Sequence, residues 1–277
     1  MFKESKLNLN KPEEAISIDP KNAVAKCQLP TGVSPIADYF SHTQELVARF
    51  VRPELSNDAI TLSLLLLGVV SAAEFYFRSI LVQSLDICPF AAKHADRIQV
   101  PFGSIAYYGV KTRALGLSVF EHKSLAGASE IKSEATRLLG VSIPSSSSVS
   151  TALAGFDTLC ELRHAAIHTR GYISSKAASE LGISQEMLQR IEISQVSAFE
   201  LTKLSHNAVR SFNRFLVNFI LERWITNRYL IGDWRKDRAA FSQLFNAFVF
   251  PEESIFSDNA RETYINIQPD LIARQKK

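Results

Sequence analysis

The chain has 277 residues, 46% of them hydrophobic, and 31 Lys and Arg against 28 Asp and Glu leave a formal net charge of +3. That length and apolar content support one large or two small domains with a substantial core, and argue against wholesale disorder. The mildly basic balance permits a polyanionic partner without requiring one. Cys27, Cys88 and Cys160 are scattered and form neither a disulfide framework nor a C-x-x-C pair, which fits a reducing compartment.

The N-terminus lacks the apolar core of a secretory signal. Residues 1–35, with Pro12, Pro20, Pro30 and Pro35, read as an irregular arm. A helix is predicted from Ile36 to Val51, ended by Pro53. The strongest helix signal follows, over 58–85, with Ser56 or Asn57 as the cap and Asp58 in the first turn. Leu62, Leu65, Leu66, Val69, Val70, Ala73, Phe77 and Ile80 recur there at helical spacing. Its most apolar run, Ala59 to Ala73, is 15 residues long. A bilayer span needs about 20. A buried core helix, no membrane contact and a cytoplasmic location are therefore expected.

Residues 88–128 read as a loop with short pieces, followed by a helix from Ser129 to Leu139 that ends at Gly140. The next main helix runs from Ser148 to Thr169, stopped by Arg170 and Gly171. A small helix within Lys176–Leu188 precedes a long one, Ser194 to Tyr229, which carries Lys203, Arg210, Arg214, Arg223 and Arg228 on its outer face. A short helix to Phe250 and a tail complete the chain. No alternating strand pattern appears. The fold class is all-α: a helical bundle of four main helices, with an insertion (about 88–145) between the second and third.

The stretch "LCELRHAAIHTRGYI", Leu159 to Ile173, concentrates the chemistry-bearing residues. Cys160, His164 and His168, spaced i, i+4, i+8, could line one face as metal ligands. The familiar H-E-x-x-H form, however, would need a glutamate where Ala165 stands. Cys160 as a buried residue and His168 as a partner of the helix dipole form a structural alternative. A third possibility is acid–base chemistry on RNA. A histidine moves protons near neutrality, an arginine grips phosphate oxygens, and RNA supplies its own 2′-hydroxyl nucleophile. Arg163 and His168 would then suffice without a metal.

"ELRHAAIHTRG" resembles the signature of the HEPN superfamily, an arginine followed after four to six residues by a histidine near the end of the third bundle helix. Arg163 and His168 match with four residues between them. The order of helices is also similar, and the resemblance covers about residues 36–230. It leaves the arm (1–35) and a C-terminal helical extension and tail (231–277) outside. It implies a HEPN-like four-helix bundle, commonly a homodimer with the motif helices facing across a cleft. It further implies a metal-independent endoribonuclease that leaves a 2′,3′-cyclic phosphate and a 5′-hydroxyl, of the kind found in toxin–antitoxin and phage-defence systems. His168 would transfer protons and Arg163 would contact phosphate. The alternative is a non-catalytic module binding RNA or a protein.

The sequence departs from the family pattern twice. His164 follows the arginine where asparagine is frequent, and could be a second acid–base group or a spacer. Arg170 stands where some members carry a modifiable tyrosine. Glu74, in the middle of an apolar helix, either orients Arg163 or His168 or pairs with Arg78 one turn on. The candidate catalytic residues are thus Arg163, His168, His164 and Glu74, with no cofactor and no metal. RNA, a second copy and an antitoxin or regulatory protein are the expected partners.

Overall fold

A computed structural model describes residues 17, 19–56, 58–109, 113–184, 186–253 and 259–275. The chain divides into two compact units, residues 1–30 and 31–277. In the first, Asp19 caps a 3-10 turn, Pro20–Ala23, by accepting from the Lys21 amide at 3.0 Å; the rest of the expected arm up to residue 16 lies outside the described residues.

The second unit is all-α. Its helices are α1 (Pro35–Phe50), α2 (Ala59–Ile87), α3 (Ala92–Ala95), α4 (Phe102–Tyr108), α5 (Arg113–Leu117) and α6 (Ala128–Leu139). They continue as α7 (Ser148–His168), α8 (Ser175–Glu180), α9 (Gln195–Thr226), α10 (Trp234–Phe248) and α11 (Ala260–Gln275). Among the described residues there is no strand, and Tyr172 and Arg190 form an isolated bridge.

Helix starts follow local chemistry. Ser34, Ser147 and Ser194 cap α1, α7 and α9 through their hydroxyls, and Ser194 and Ser197 close a reciprocal capping box. For α2 the cap is Asp58 rather than Ser56, and Asn57 lies outside the described residues. The Asp58 carboxylate accepts from the Thr61 amide at 2.9 Å and the Thr61 hydroxyl at 2.6 Å, which hold it below the usual carboxylate range. Gly140 ends α6 with φ +65°, the left-handed geometry that glycine adopts without strain.

α1, α2, α7 and α9 pack around one core. Phe77 of α2 sits at its centre, with ring centroids 5.6 Å from Phe156 of α7 and 5.3 Å from Phe212 of α9. All three rings are fully enclosed. Truncating such a residue costs about 3–5 kcal/mol. Polar rungs fix the register: Tyr39 of α1 meets Ser205 of α9 at 2.7 Å, and Tyr76 of α2 donates to Asn213 of α9 at 3.2 Å.

The helix that carries the apolar run Ala59 to Ala73 extends beyond it, past Glu74 and Arg78. The full helix has 29 residues and is long and apolar enough to cross a membrane. Its Leu62, Leu66, Val69, Val70 and Phe77 are nonetheless enclosed against α1, α7 and α9. The uncovered remainder is a stripe through Ile60, Leu64 and Phe75.

The expected C-terminal tail is instead partly α11, which packs on α10 and buries Tyr264 and Leu271. Pro269 inside it and a weak apolar pattern mask the helix in the sequence. The carboxylate of Asp237, itself buried, accepts from the Ile231 and Gly232 amides, both at 2.9 Å, and from the Tyr264 hydroxyl at 2.6 Å. That knot ties α10 to α11. The small helix after α7 is also shorter than its pattern suggests. It stops at Glu180, before Gly182 with φ +66°.

Candidate functional site at the end of helix α7

The last turns of α7 divide their side chains between two environments. Leu153, Phe156 and Leu159 enter the main core. Ala165 joins a second apolar cluster with Ile173, Ala177 and Ala178, where its small side chain allows α8 to lie close. That orientation leaves His164, Ile167 and His168 exposed and Arg163 half-buried.

The end of α7 is built firmly. The Ala165 carbonyl accepts from the Thr169 amide at 3.1 Å and the Gly171 amide at 2.9 Å. Arg170 and Gly171 both take positive φ, 54° and 86°. The chain then pairs with residues 189–191: the Ile173 amide donates to the Gln189 carbonyl at 2.9 Å, and the Ile191 amide to the Gly171 carbonyl at 2.8 Å. The Arg190 guanidinium lies 5.6 Å above the Tyr172 ring. α7 therefore remains helical through His168.

Arg163 and His164 line a cleft of about 820 Å³ between α7, α8 and the start of α6. His168 is not part of its wall, but its ring lies 4.6 Å from that of His164, centroid to centroid, tilted by 44°. The structure thus brings Arg163 and His164 to one cleft and joins His168 to them through His164. Arg163 makes no hydrogen bond or ion pair among the described residues.

The cleft is rich in carboxylates, with Glu130, Asp157, Glu161 and Glu180 facing the cations Arg163 and Lys176. Asp157 accepts from the Ala128 amide at 2.6 Å and so occupies the N-terminus of α6. Burial raises Asp157 above the usual carboxylate range despite that bond. Burial and then the Glu180 carboxylate raise Glu161 as well. Lys176 reaches Glu180 at 3.6 Å. None of these acids was singled out by motif reading, because helix spacing alone does not show that α6 and α8 bring theirs to α7.

Glu74 is occupied elsewhere. Its Oε1 accepts from Arg78 at 2.9 Å, from the Ser124 hydroxyl at 2.9 Å and from the Leu125 amide at 2.8 Å. It anchors the segment that leads into α6, and no bond links it to Arg163 or His168. Cys160 lies near Arg163 in the cleft wall, where burial, then the Asp157 carboxylate, push its thiol up. Among the described residues no three His, Cys, Asp or Glu side chains are grouped to hold a metal ion.

The basic face of α9 is largely engaged. Lys203 pairs with Glu200 at 2.6 Å, and Arg210 with Glu253 at 2.8 Å. Arg223 donates to the Leu139 carbonyl at 2.8 Å and lies 4.4 Å from the Phe219 ring centre.

No protein family's sequence profile matches the chain, and no curated protein and no solved structure matches it.

Proposed function

We propose that the protein is a metal-independent endoribonuclease of HEPN-like type that acts as a homodimer in the cytoplasm, in a toxin or phage-defence setting. The observation that carries this reading is the contact between His164 and His168 beside Arg163, a guanidinium without a partner among the described residues. In the reaction, one neutral imidazole takes the proton of the 2′-hydroxyl as its oxygen bonds to phosphorus. The bond from phosphorus to the 5′-oxygen breaks, and an imidazolium protonates that oxygen. Arg163 offsets the charge that grows on the phosphorane oxygens. The products are a 2′,3′-cyclic phosphate and a 5′-hydroxyl.

A second copy supplies what one α7 lacks. Arg163 faces the cleft while His168 stands outside it, as five residues on a helix of 3.6 per turn require. The uncovered apolar stripe of α2 reaches the end of α7 on a face away from the histidines, where Ile60, Leu64 and Leu67 share a cleft with Ala166 and Arg170. A two-fold across this surface would cover the stripe and bring the ends of two motif helices together.

The acidic lining supports a second reading. Four carboxylates around Arg163 repel a polyphosphate and favour a cationic protein segment, so the same cleft would serve a non-catalytic module that binds a regulatory partner. Cleavage of a labelled mixed-sequence RNA in excess EDTA separates the two. Cyclic-phosphate ends from wild type, lost in Arg163→Ala and His168→Ala with helical content retained, support the nuclease. No cleavage by any of them favours the module.

A further inference from the structure

At the edge of the main core, α9, α10 and α11 leave a cleft of about 710 Å³, and Phe241, Leu244 and Phe248 belong to both. That volume lies within the range of about 300–1,000 Å³ typical of small-molecule sites. One wall is apolar: Phe241, Leu244, Phe245 and Phe248 recur on α10 at i, i+3, i+4, i+7 and face Val217 and Leu221 of α9. The other edge is polar, formed by Asn207, Arg210, Arg214 and Asn218, which follow one another along α9 turn by turn.

The two arginines on that edge differ. Arg210 is neutralised by Glu253 through contacts of 2.8 and 3.1 Å and lies 4.5 Å from the Phe40 ring centre. Arg214, one turn on, is exposed and makes no hydrogen bond or ion pair among the described residues. It also stands at a junction. Arg214, Asn218, Leu221 and Ile267 line a second cleft of about 590 Å³ that extends the first toward Ile225, and its far rim carries Asp270 and the Glu222–Arg274 pair, 2.8 Å apart. From Asn207 to Ile225 the wall of α9 runs about 27 Å at 1.5 Å per residue.

An elongated apolar cleft wants an alkyl chain, and a lone uncompensated cation on its rim wants a single negative charge. A polyanion would find one free positive charge and a phenylalanine wall. We infer that this cleft binds a long-chain carboxylate, its chain between α9 and α10 and its head on the Arg214 guanidinium. The site is separate from the cleft at Arg163, so its failure would leave the RNA reading untouched.

Titration of the full-length chain with dodecanoate below its micelle concentration, followed by calorimetry, tests the proposal. Saturable binding of one molecule per chain is expected. Arg214→Gln should weaken dodecanoate about tenfold or more and leave dodecanol unchanged. Asn218→Trp, at an exposed position of the wall, should weaken both while the far-ultraviolet dichroism stays that of wild type. The proposal is overturned by the absence of saturable binding, by equal affinity of wild type for the acid and the alcohol, or by insensitivity to both substitutions. Self-association that Asn218→Trp abolishes, without binding of the acid, would also overturn it and assign the groove to a second copy.

Discussion

The imidazoles of His164 and His168 lie 4.6 Å apart on consecutive turns of α7, both exposed, and His164 in turn shares a cleft with Arg163. This relationship separates the functional question from stability, since none of the three side chains holds the core together. Arg163→Ala and His168→Ala are each predicted to lower RNA cleavage by about 100-fold or more, with melting temperatures within a degree or two of wild type. Arg163→Lys should not restore the rate, because an ammonium lacks the planar two-pronged grip. A Lys variant as active as wild type would remove the phosphate-clamp role.

For the homodimer proposed above, Leu64→Glu is predicted to shift the protein toward monomer in sedimentation and to reduce cleavage in parallel. Leu64 is 60% exposed on the apolar stripe beside α7, so a charge there costs the folded monomer little while opposing burial between copies. A variant that stays dimeric would place the two-fold elsewhere.

Glu74→Gln is predicted to destabilise the fold by about 1–2 kcal/mol. The carboxylate gathers Arg78, Ser124 and the Leu125 amide at one oxygen, and a neutral amide loses the charge-assisted share of each bond. Urea denaturation measures this, and a midpoint equal to that of wild type would show that the anchor contributes nothing.

Acid should destabilise the protein through His206. Its ring packs 4.9 Å from Phe40 and 5.8 Å from Tyr39, and its Nε2 is enclosed without a hydrogen-bond partner among the described residues. Burial pushes it down to about 4, the Arg210 charge adds to this, and Glu253 opposes it. The unfolded chain, with an ordinary value near 6.5, therefore binds the proton first on acidification. The contribution is fully present above about pH 6.5 and is lost as pH falls toward 4, a change on the order of 2 kcal/mol once the shift is discounted for the ring's partial exposure to solvent. His206→Phe should flatten denaturation midpoints across that window. An unchanged slope would assign the acid sensitivity to other groups.

Asp237→Ala is predicted to cost about 3 kcal/mol and Tyr264→Phe about 1 kcal/mol, by loss of partners for two amides and one phenol. Trp234, whose ring centre is 5.1 Å from that of Tyr264, offers a fluorescence probe of the same junction. Equal stabilities for the two variants would mean that the amide contacts add nothing beyond the phenol.

Much of the architecture was legible in periodicity. α1, α2, α7 and α9 lie within a few residues of their sequence patterns, because each carries an apolar stripe and ends at a proline, a glycine or a serine cap. α11 was not legible. Pro269 argues against a helix, and Tyr264 and Leu271 become informative once α10 is known to lie against them. Of the candidate site, the local grouping alone was legible. Spacing put Arg163, His164 and His168 on one helix end, but one-dimensional order holds no record of which face is covered.

By itself the sequence determined an all-helical chain, its four long elements, and the concentration of an arginine and two histidines at one helix terminus. These depend on local propensity, capping and period, all of which act within a few residues. Tertiary structure alone decided that Arg163 and His164 enter a cleft while His168 stands outside it. It also decided that Glu74 is committed to the segment before α6, that four carboxylates from three helices surround Arg163, and that Arg214 is left without a partner over an apolar groove. Those outcomes depend on contacts between residues far apart in the chain, where packing rather than spacing sets which charges meet.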